Sequence, residues 1–219
     1  MSLFRYADRR SRWEAFVRMG RPPQGASTIE GLRLVKPLGT GGGSGFSLWP
    51  DWSTYALLLG WASEADARNA LFTSAYINAY RTGAAEERLF WLEPFLGHGQ
   101  WEGSAVFDYS GQSPTGRVAV LTRARIKNTW APVFWGRVGS VSQRLEGMEG
   151  LHFARGVGSL PVIEQATFSV WESQTSLKQF AYAGKAHSAV VRTTRKTGWY
   201  SEELFARFSV LSEEVRALG

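Results

Sequence analysis

Polar and apolar positions along the chain alternate with two different periods, and the periods change in a recurring order. Alternating or short continuous apolar runs fall at Leu3–Tyr6, Leu32–Leu38, Tyr55–Trp61 and Leu89–Phe95, and again at Val118–Ile126, His152–Val157, Gln165–Trp171 and Tyr200–Phe208. Runs of this length and pattern predict half-buried strands. Apolar residues three and four apart predict helices over Arg12–Met19, Ser63–Arg81, Ala131–Arg144 and Ser173–Lys196. Ser63 and Ser173 stand where a helix N-cap belongs, since a short hydroxyl side chain can accept from the free N–H groups of the first turn. The order of elements is therefore βαββαβ, twice.

An offset of 110 residues superposes Ala56, Trp61, Ser63, Glu93 and Phe95 on Ala166, Trp171, Ser173, Glu203 and Phe205. Together with the repeated element order, this predicts an α+β chain built from tandem ferredoxin-like repeats, residues 1–110 and 111–219. In each repeat both helices lie on one face of an antiparallel sheet, and two such sheets can pair into a pseudo-dimeric α/β barrel. The stretch Glu102–Gly116, with Gly111, Ser113, Pro114 and Gly116, reads as the linker.

Of the 219 residues, 44% are hydrophobic and 20% charged, the balance of a folded globular chain. Cysteine is absent, which excludes a disulfide framework, thiolate metal sites and a cysteine nucleophile. The first 19 residues carry Arg5, Arg9, Arg10, Arg12 and Arg18 without an apolar core, so they are not a secretory signal. The longest apolar run, Tyr55–Ala62, is too short to span a bilayer. The expectation is a cytoplasmic protein whose membrane contact, if it has any, is peripheral.

The net charge of +6 arises entirely after residue 110, where 14 basic side chains face 8 acidic ones, against 11 and 11 before it. Twenty of the 25 basic residues are arginine, suited to carboxylate or phosphate ligands. A basic, aromatic-rich chain raises the question of nucleic acid. No zinc finger, RNP-type strand or Lys/Arg run beyond two residues supports it, and no nucleic-acid partner is expected.

The glycine cluster Gly39–Gly45 is followed by Phe46 where a P-loop needs Lys, and no register satisfies G-x-G-x-x-G. It reads as a β2–β3 connection or as a lid whose missing side chains let a flat ligand approach the backbone. Its counterpart is Gly156–Pro161. Adjacent glutamates occur at Glu86–Glu87 and Glu202–Glu203, but neighbours in a strand point to opposite faces and make a poor acid/base dyad.

None of His98, His152 and His187 has a second histidine at metal-chelating spacing. His187 differs in context, because Leu177, Phe180, Gly184, His187 and Val191 form an apolar stripe along the second long helix. An imidazole facing inward there is a hydrogen-bonded core residue, a catalytic base or an axial ligand of haem iron. Gly184, one turn earlier, leaves room for a flat macrocycle. Arg192 and Arg195, further along, are placed either to pair with propionates or to cap a solvated helix end. Ten Trp, seven Tyr and thirteen Phe suit an apolar pocket, though core packing also uses them.

Several segments in order resemble the spheroidene monooxygenase family of carotenoid-modifying enzymes: Ser2–Arg5; Trp13, Phe16, Met19 and Gly20; Gly39–Phe46; Tyr55, Ala56 and Trp61; Leu121–Ala124; Phe134–Val138; Gly156–Gly158 with Pro161; Gln165–Trp171; His187; and Gly198–Phe208. The resemblance spans nearly the whole chain. It implies a haem-containing oxygenase that takes O₂ and electrons from a donor such as a ferredoxin. The oxygen enters C-2 of an acyclic carotenoid as a ketone, by two hydroxylations at one carbon and loss of water. It also implies that His187 is the iron ligand, that Arg192, Arg195 and Gly184 contact the cofactor, and that the substrate is a hydrophobic small molecule. Ser44 and Ser159 depart from the family pattern, which often has acidic residues in these loops. A membrane-resident substrate would bring the basic second half against anionic lipid.

Other readings share an axial histidine and an apolar pocket: a peroxidase-like or dehydratase-like haem enzyme, and a haem or small-ligand carrier. A cofactor-free oxygenase on the same fold is a further one. Assembly into a homo-oligomer is compatible with all of them.

Overall fold

In the computed structural model, which describes residues 1–21, 24–42, 49–127, 129, 147–159, 164–183 and 200–219, the chain is a mixed α+β fold rich in antiparallel strand pairs. Its strands are β1 (Ser2–Tyr6), β2 (Leu32–Gly41), β3 (Pro50–Trp61), β4 (Ala84–Gly99), β5 (Val118–Ile126), β6 (Leu151–Gly158), β7 (Glu164–Trp171) and β8 (Tyr200–Ala217). The described helices are α1 (Arg9–Met19), α2 (Glu64–Thr73), α3 (Ala75–Arg81) and α4 (Gln174–Ala183). Two compact units result: residues 1–40, 51–91 and 211–219, and residues 41–50 and 92–210. Among the described residues no helix is long and apolar enough to cross a membrane.

In the first unit β1 pairs antiparallel with both β3 and β4. Phe4 lies opposite Tyr55 and Glu87, and Ser2 opposite Leu57 and Leu89, so these side chains share one face of the pleat. That face is covered by the helices: Phe4, Tyr6, Tyr55 and Leu57 pack with Ala15 of α1 and Tyr80 of α3. Leu89 packs with Ala70, Leu71 and Ile77 of α2 and α3. Each such large side chain removed from water contributes about 1.5–3 kcal/mol.

In the second unit β5 pairs antiparallel with β7 and β8, and β6 adds to β7. Val118, Val120 and Trp171 pack against Leu177 of α4, with Phe180 4.9 Å from the Trp171 ring. The pairing scheme has the form of the first unit, including an irregularity near the strand end: Arg5/Tyr6 on β1 and Arg125/Ile126 on β5. Gly99 of β4 sits so near β8 that a Cβ would lie 2.1 Å from the Glu203 carbonyl oxygen.

Two expectations change. The helix expected over Ser63–Arg81 is broken at Ser74, which ends α2 with ψ 118° and starts α3, its hydroxyl accepting from the Ile77 N–H. Serine side chains compete for backbone groups in this way, and periodicity alone does not reveal it. The last strand of each half is longer than its apolar run, because β4 and β8 continue through polar residues to Gly99 and Ala217. The helix expected at 131–144 and the continuation of the helix from Ser173 beyond residue 183 lie outside the described residues.

Candidate functional site

The helix-facing side of the second sheet is lined by small residues. Thr122 of β5 lies opposite Thr167 of β7 and Phe205 of β8, and Thr167 in turn lies opposite Gly156 of β6. The next row places Val120 between Ser169 and Arg207, with Ala154 beyond Ser169. On the other side of Thr122, Ala124 occupies the position that Phe4 holds in the first unit. Thr167 and Ser169 are buried, and they correspond to Leu57 and Leu59. The Thr167 hydroxyl and the Arg207 Nε are shielded from solvent and have no hydrogen-bond partner. Buried donors in that condition are costly unless something accepts from them. The Arg207 guanidinium lies 5.2 Å from the Phe205 ring centre.

The opposite face of the same sheet holds a buried ion network. Arg123 of β5, fully enclosed, donates from Nε to Glu164 of β7 at 2.7 Å and from Nη1 to Glu202 of β8. Its guanidinium lies 4.8 Å from the Trp101 ring centre. Glu164 also accepts from Ser159 Oγ at 3.0 Å, and Glu202 from the backbone N–H groups of Glu102 and Gly103 at 3.0 and 2.7 Å. Burial opposes the charge on Arg123, but its bonds to the two carboxylates outweigh this and hold the guanidinium above its ordinary value. Burial likewise pushes Glu202 upward, and the contacts with Arg123, Gly103 and Glu102 overcome it, leaving the carboxyl below its ordinary range.

The residues singled out from sequence as cofactor contacts, Gly184, His187, Arg192 and Arg195, lie outside the described residues, as do 43–48 of the first glycine loop. Ser159 of the second loop joins the Arg123 network. The other two histidines have separate surroundings: His98 stacks on Phe205 at 5.6 Å, and His152 meets Glu172 at 3.3 Å. Among the described residues no three His, Asp or Glu side chains gather as a metal site. The adjacent glutamates do face opposite ways. Glu87 pairs with Arg81 beneath the helices and Glu86 meets Arg5 on the other face. Sequence reading missed Arg123 and Arg207. The first had a signal, a charge at a buried alternation position of the Val118–Ile126 strand; Arg207 had none, since Arg alternates with Phe in many exposed strands.

No family model matches the chain. Among curated proteins it is 34% identical over 191 residues to the spheroidene monooxygenase of Rhodobacter capsulatus, covering 86% of this chain and 79% of that one. It is 35% identical over 184 residues to the Rubrivivax gelatinosus protein of the same name, covering 84% and 71%. It is 30% identical over 213 residues to that of Cereibacter sphaeroides, covering 96% and 66%. Among solved structures, an aldoxime dehydratase in complex with butyraldoxime has a TM-score of 0.49 at 11% identity, over 98% of this chain and 80% of that one. That likeness is too distant to carry an argument.

Proposed function

The chain belongs to the spheroidene monooxygenase family, and we propose that it is a haem-dependent monooxygenase that introduces a keto oxygen into an acyclic carotenoid. As a member of that family it is an oxidoreductase of the monooxygenase type. The observation that carries the haem reading is the exchange on the helix-facing side of the second sheet. Small residues, Ala124, Thr167 and Ser169, stand there where the first unit uses Phe4, Leu57 and Leu59, and Gly156 lies beside Thr167. Small side chains beside two unpaired buried donors, Thr167 Oγ1 and Arg207 Nε, fit a large flat group with an acidic edge.

In this reading His187 holds the iron, Gly184 leaves room beside it, and Arg192 and Arg195, with Arg207, bind the propionates. Bound there, haem supplies the activation of O₂ with electrons from an external donor such as a ferredoxin. The chain's own residues orient the group and keep water from it, with Leu177, Phe180 and Trp171 forming an apolar wall at one side. The common pairing scheme of the two units supports tandem ferredoxin-like repeats.

Titration of the purified protein with hemin tests the reading. A Soret band saturating at one haem per chain, and lost or shifted in His187→Ala, is expected, followed by reductant-dependent conversion of spheroidene to a ketone. No specific band in the wild type overturns haem dependence. A band with peroxide-dependent turnover would favour another haem activity, and a band with no turnover would favour a carrier.

A further inference from the structure

A cavity lies in the first unit, on the side of the sheet opposite to the Arg5–Glu86 pair and wholly within residues of that unit. It is a cleft of about 990 Å³ between α1, the one-turn helix Ala26–Thr28, α2 and α3. Volumes near this value hold drug-sized organic ligands. Its walls are apolar where Trp13, Val17, Ile29, Ala70 and Ala79 face it. The wall formed by the turn before β2 is fixed closely against α2: a Cβ on Gly31 would lie 2.4 Å from the Asp66 carboxyl carbon, and φ there is +70°. Only glycine permits that approach and that backbone together.

Arg18 and Tyr76 also line this cleft. Arg18 Nη1 is shielded from solvent and has no hydrogen-bond partner, and the Tyr76 hydroxyl, equally shielded, lies beside that of Tyr80. Tyr80 lies behind them, fully buried, with its ring 5.4 Å from the Arg18 guanidinium and 5.6 Å from the Tyr76 ring. Tyr6 donates to the Tyr80 carbonyl at 2.6 Å. Burial pushes the hydroxyls of Tyr76 and Tyr80 up, so both stay protonated as donors. Arg18 makes no ion pair with a described carboxylate, although acidic residues line the same cleft. Glu14 is held by Arg10 at 2.9 Å and Asp66 accepts from Ser63 at 2.7 Å. A half-buried guanidinium beside neutral donors seeks an anion. The acidic residues Glu14, Glu30 and Asp66 along the cleft disfavour a ligand carrying further negative charge.

We propose that this cleft binds an amphiphilic monocarboxylate, its apolar body between the helices and its carboxylate on Arg18 and Tyr76. The proposal stands on the first unit alone and is independent of the haem reading.

The test uses cis-parinaric acid, a fluorescent conjugated long-chain carboxylate, and its methyl ester, titrated into the full chain while fluorescence is followed. The wild type is expected to bind the acid at one per chain and the ester about tenfold or more weakly, the range of a charge-assisted hydrogen bond. Arg18→Gln should lower affinity for the acid to that of the ester and leave the ester unchanged. Ala79→Trp, which adds bulk to the cleft wall, should weaken both ligands. Equal binding of acid and ester by the wild type, unchanged acid binding by Arg18→Gln, or no binding at all overturns the proposal. If Arg18→Gln fails to fold by circular dichroism, the acid-to-ester ratio in the wild type and in Tyr76→Phe decides. Arg18→Gln should retain its hemin Soret band, so loss of the band in His187→Ala and loss of parinarate in Arg18→Gln report on separate sites.

Discussion

In the first unit, β1 sets Phe4 between Tyr55 and Glu87 beneath the helices, with Leu3 between Ala56 and Arg88 on the opposite face. In the second, the same places on β5 are Ala124 and Arg123, and Arg123 lies between Ala166 and Leu204. The backbone pairing is alike and the chemistry is reversed. Where the first unit has Phe4 and Leu57 on its helix-facing side, the second has Ala124 and Thr167. Where the first keeps a leucine on the far face, the second buries a cation between two carboxylates. The contrast teaches that a common scaffold separates two demands. The first unit sets its buried ion pair, Arg81 with Glu87, beneath the helices, and the second sets its buried cation, Arg123, on the far face of the sheet and keeps small polar side chains beneath the helices.

The largest expected effect follows from the ion network. Arg123→Met leaves Glu164 and Glu202 buried without their counter-charge and should cost about 3–5 kcal/mol in urea unfolding. Carrying the first unit's Leu3 and Thr54 across as Arg123→Leu with Glu164→Thr, and neutralising the remaining carboxylate as Glu202→Gln, should recover most of that loss, because an uncharged replacement of a buried network is often neutral or better. If the triple variant is no more stable than Arg123→Met, the network does more than balance its own charges.

Next comes the open face. Thr167→Leu gives the second sheet the first unit's Leu57 and leaves in place Ser169, which accepts from the buried Trp171 Nε1 at 3.0 Å. Hemin affinity should fall at least tenfold while the unfolding midpoint holds or rises, since each methylene moved from water is favourable by about 0.8 kcal/mol. Unchanged hemin binding in a folded variant would place the cofactor elsewhere.

The scaffold beneath this contrast is visible in the sequence through its periodicity, and the chemistry is not. The strand over Val118–Ile126 was read with its final bounds, and Ser63 does cap α2, accepting from the Asp66 N–H at 3.1 Å. The offset of 110 aligned β3 with β7 through Ala56/Ala166 and Trp61/Trp171. In the last strands pairing instead sets Glu86–Glu87 against Glu202–Glu203, an offset of 116, because loop lengths between strands differ. Arg123 was not legible as a network, since its partners Glu164 and Glu202 are 41 and 79 residues away. The Arg18 cleft was equally hidden, as it depends on how α1 and α3 pack and not on any local pattern.

A smaller effect distinguishes the charge states. Glu202 is held below its ordinary value in the fold, so its contribution is fully present above the unfolded carboxyl value of about 4.3 and is lost as pH falls through the folded value. Glu202→Gln should therefore flatten the acid limb of a stability-against-pH curve below about pH 5, where the wild type declines. An unaltered limb would mean that other carboxylates govern acid unfolding.

The smallest effect belongs to the exposed pair at the edge of the same unit. Arg117 meets Glu172 through two bonds, Nε and Nη2 each at 3.1 Å, and its guanidinium holds the Glu172 carboxyl below the ordinary range. The geometry is bidentate, as in the buried Arg81–Glu87 pair of the first unit. Solvent is what differs: Glu172 is about half exposed and Glu87 not at all. Water and salt screen the outer pair, so Glu172→Gln should cost less than about 1 kcal/mol and nothing measurable at high salt. Glu87→Gln leaves Arg81 short of a partner in a dry place and should cost more, with little dependence on salt. If the two variants lose equal stability and respond equally to salt, burial is not what separates these pairs.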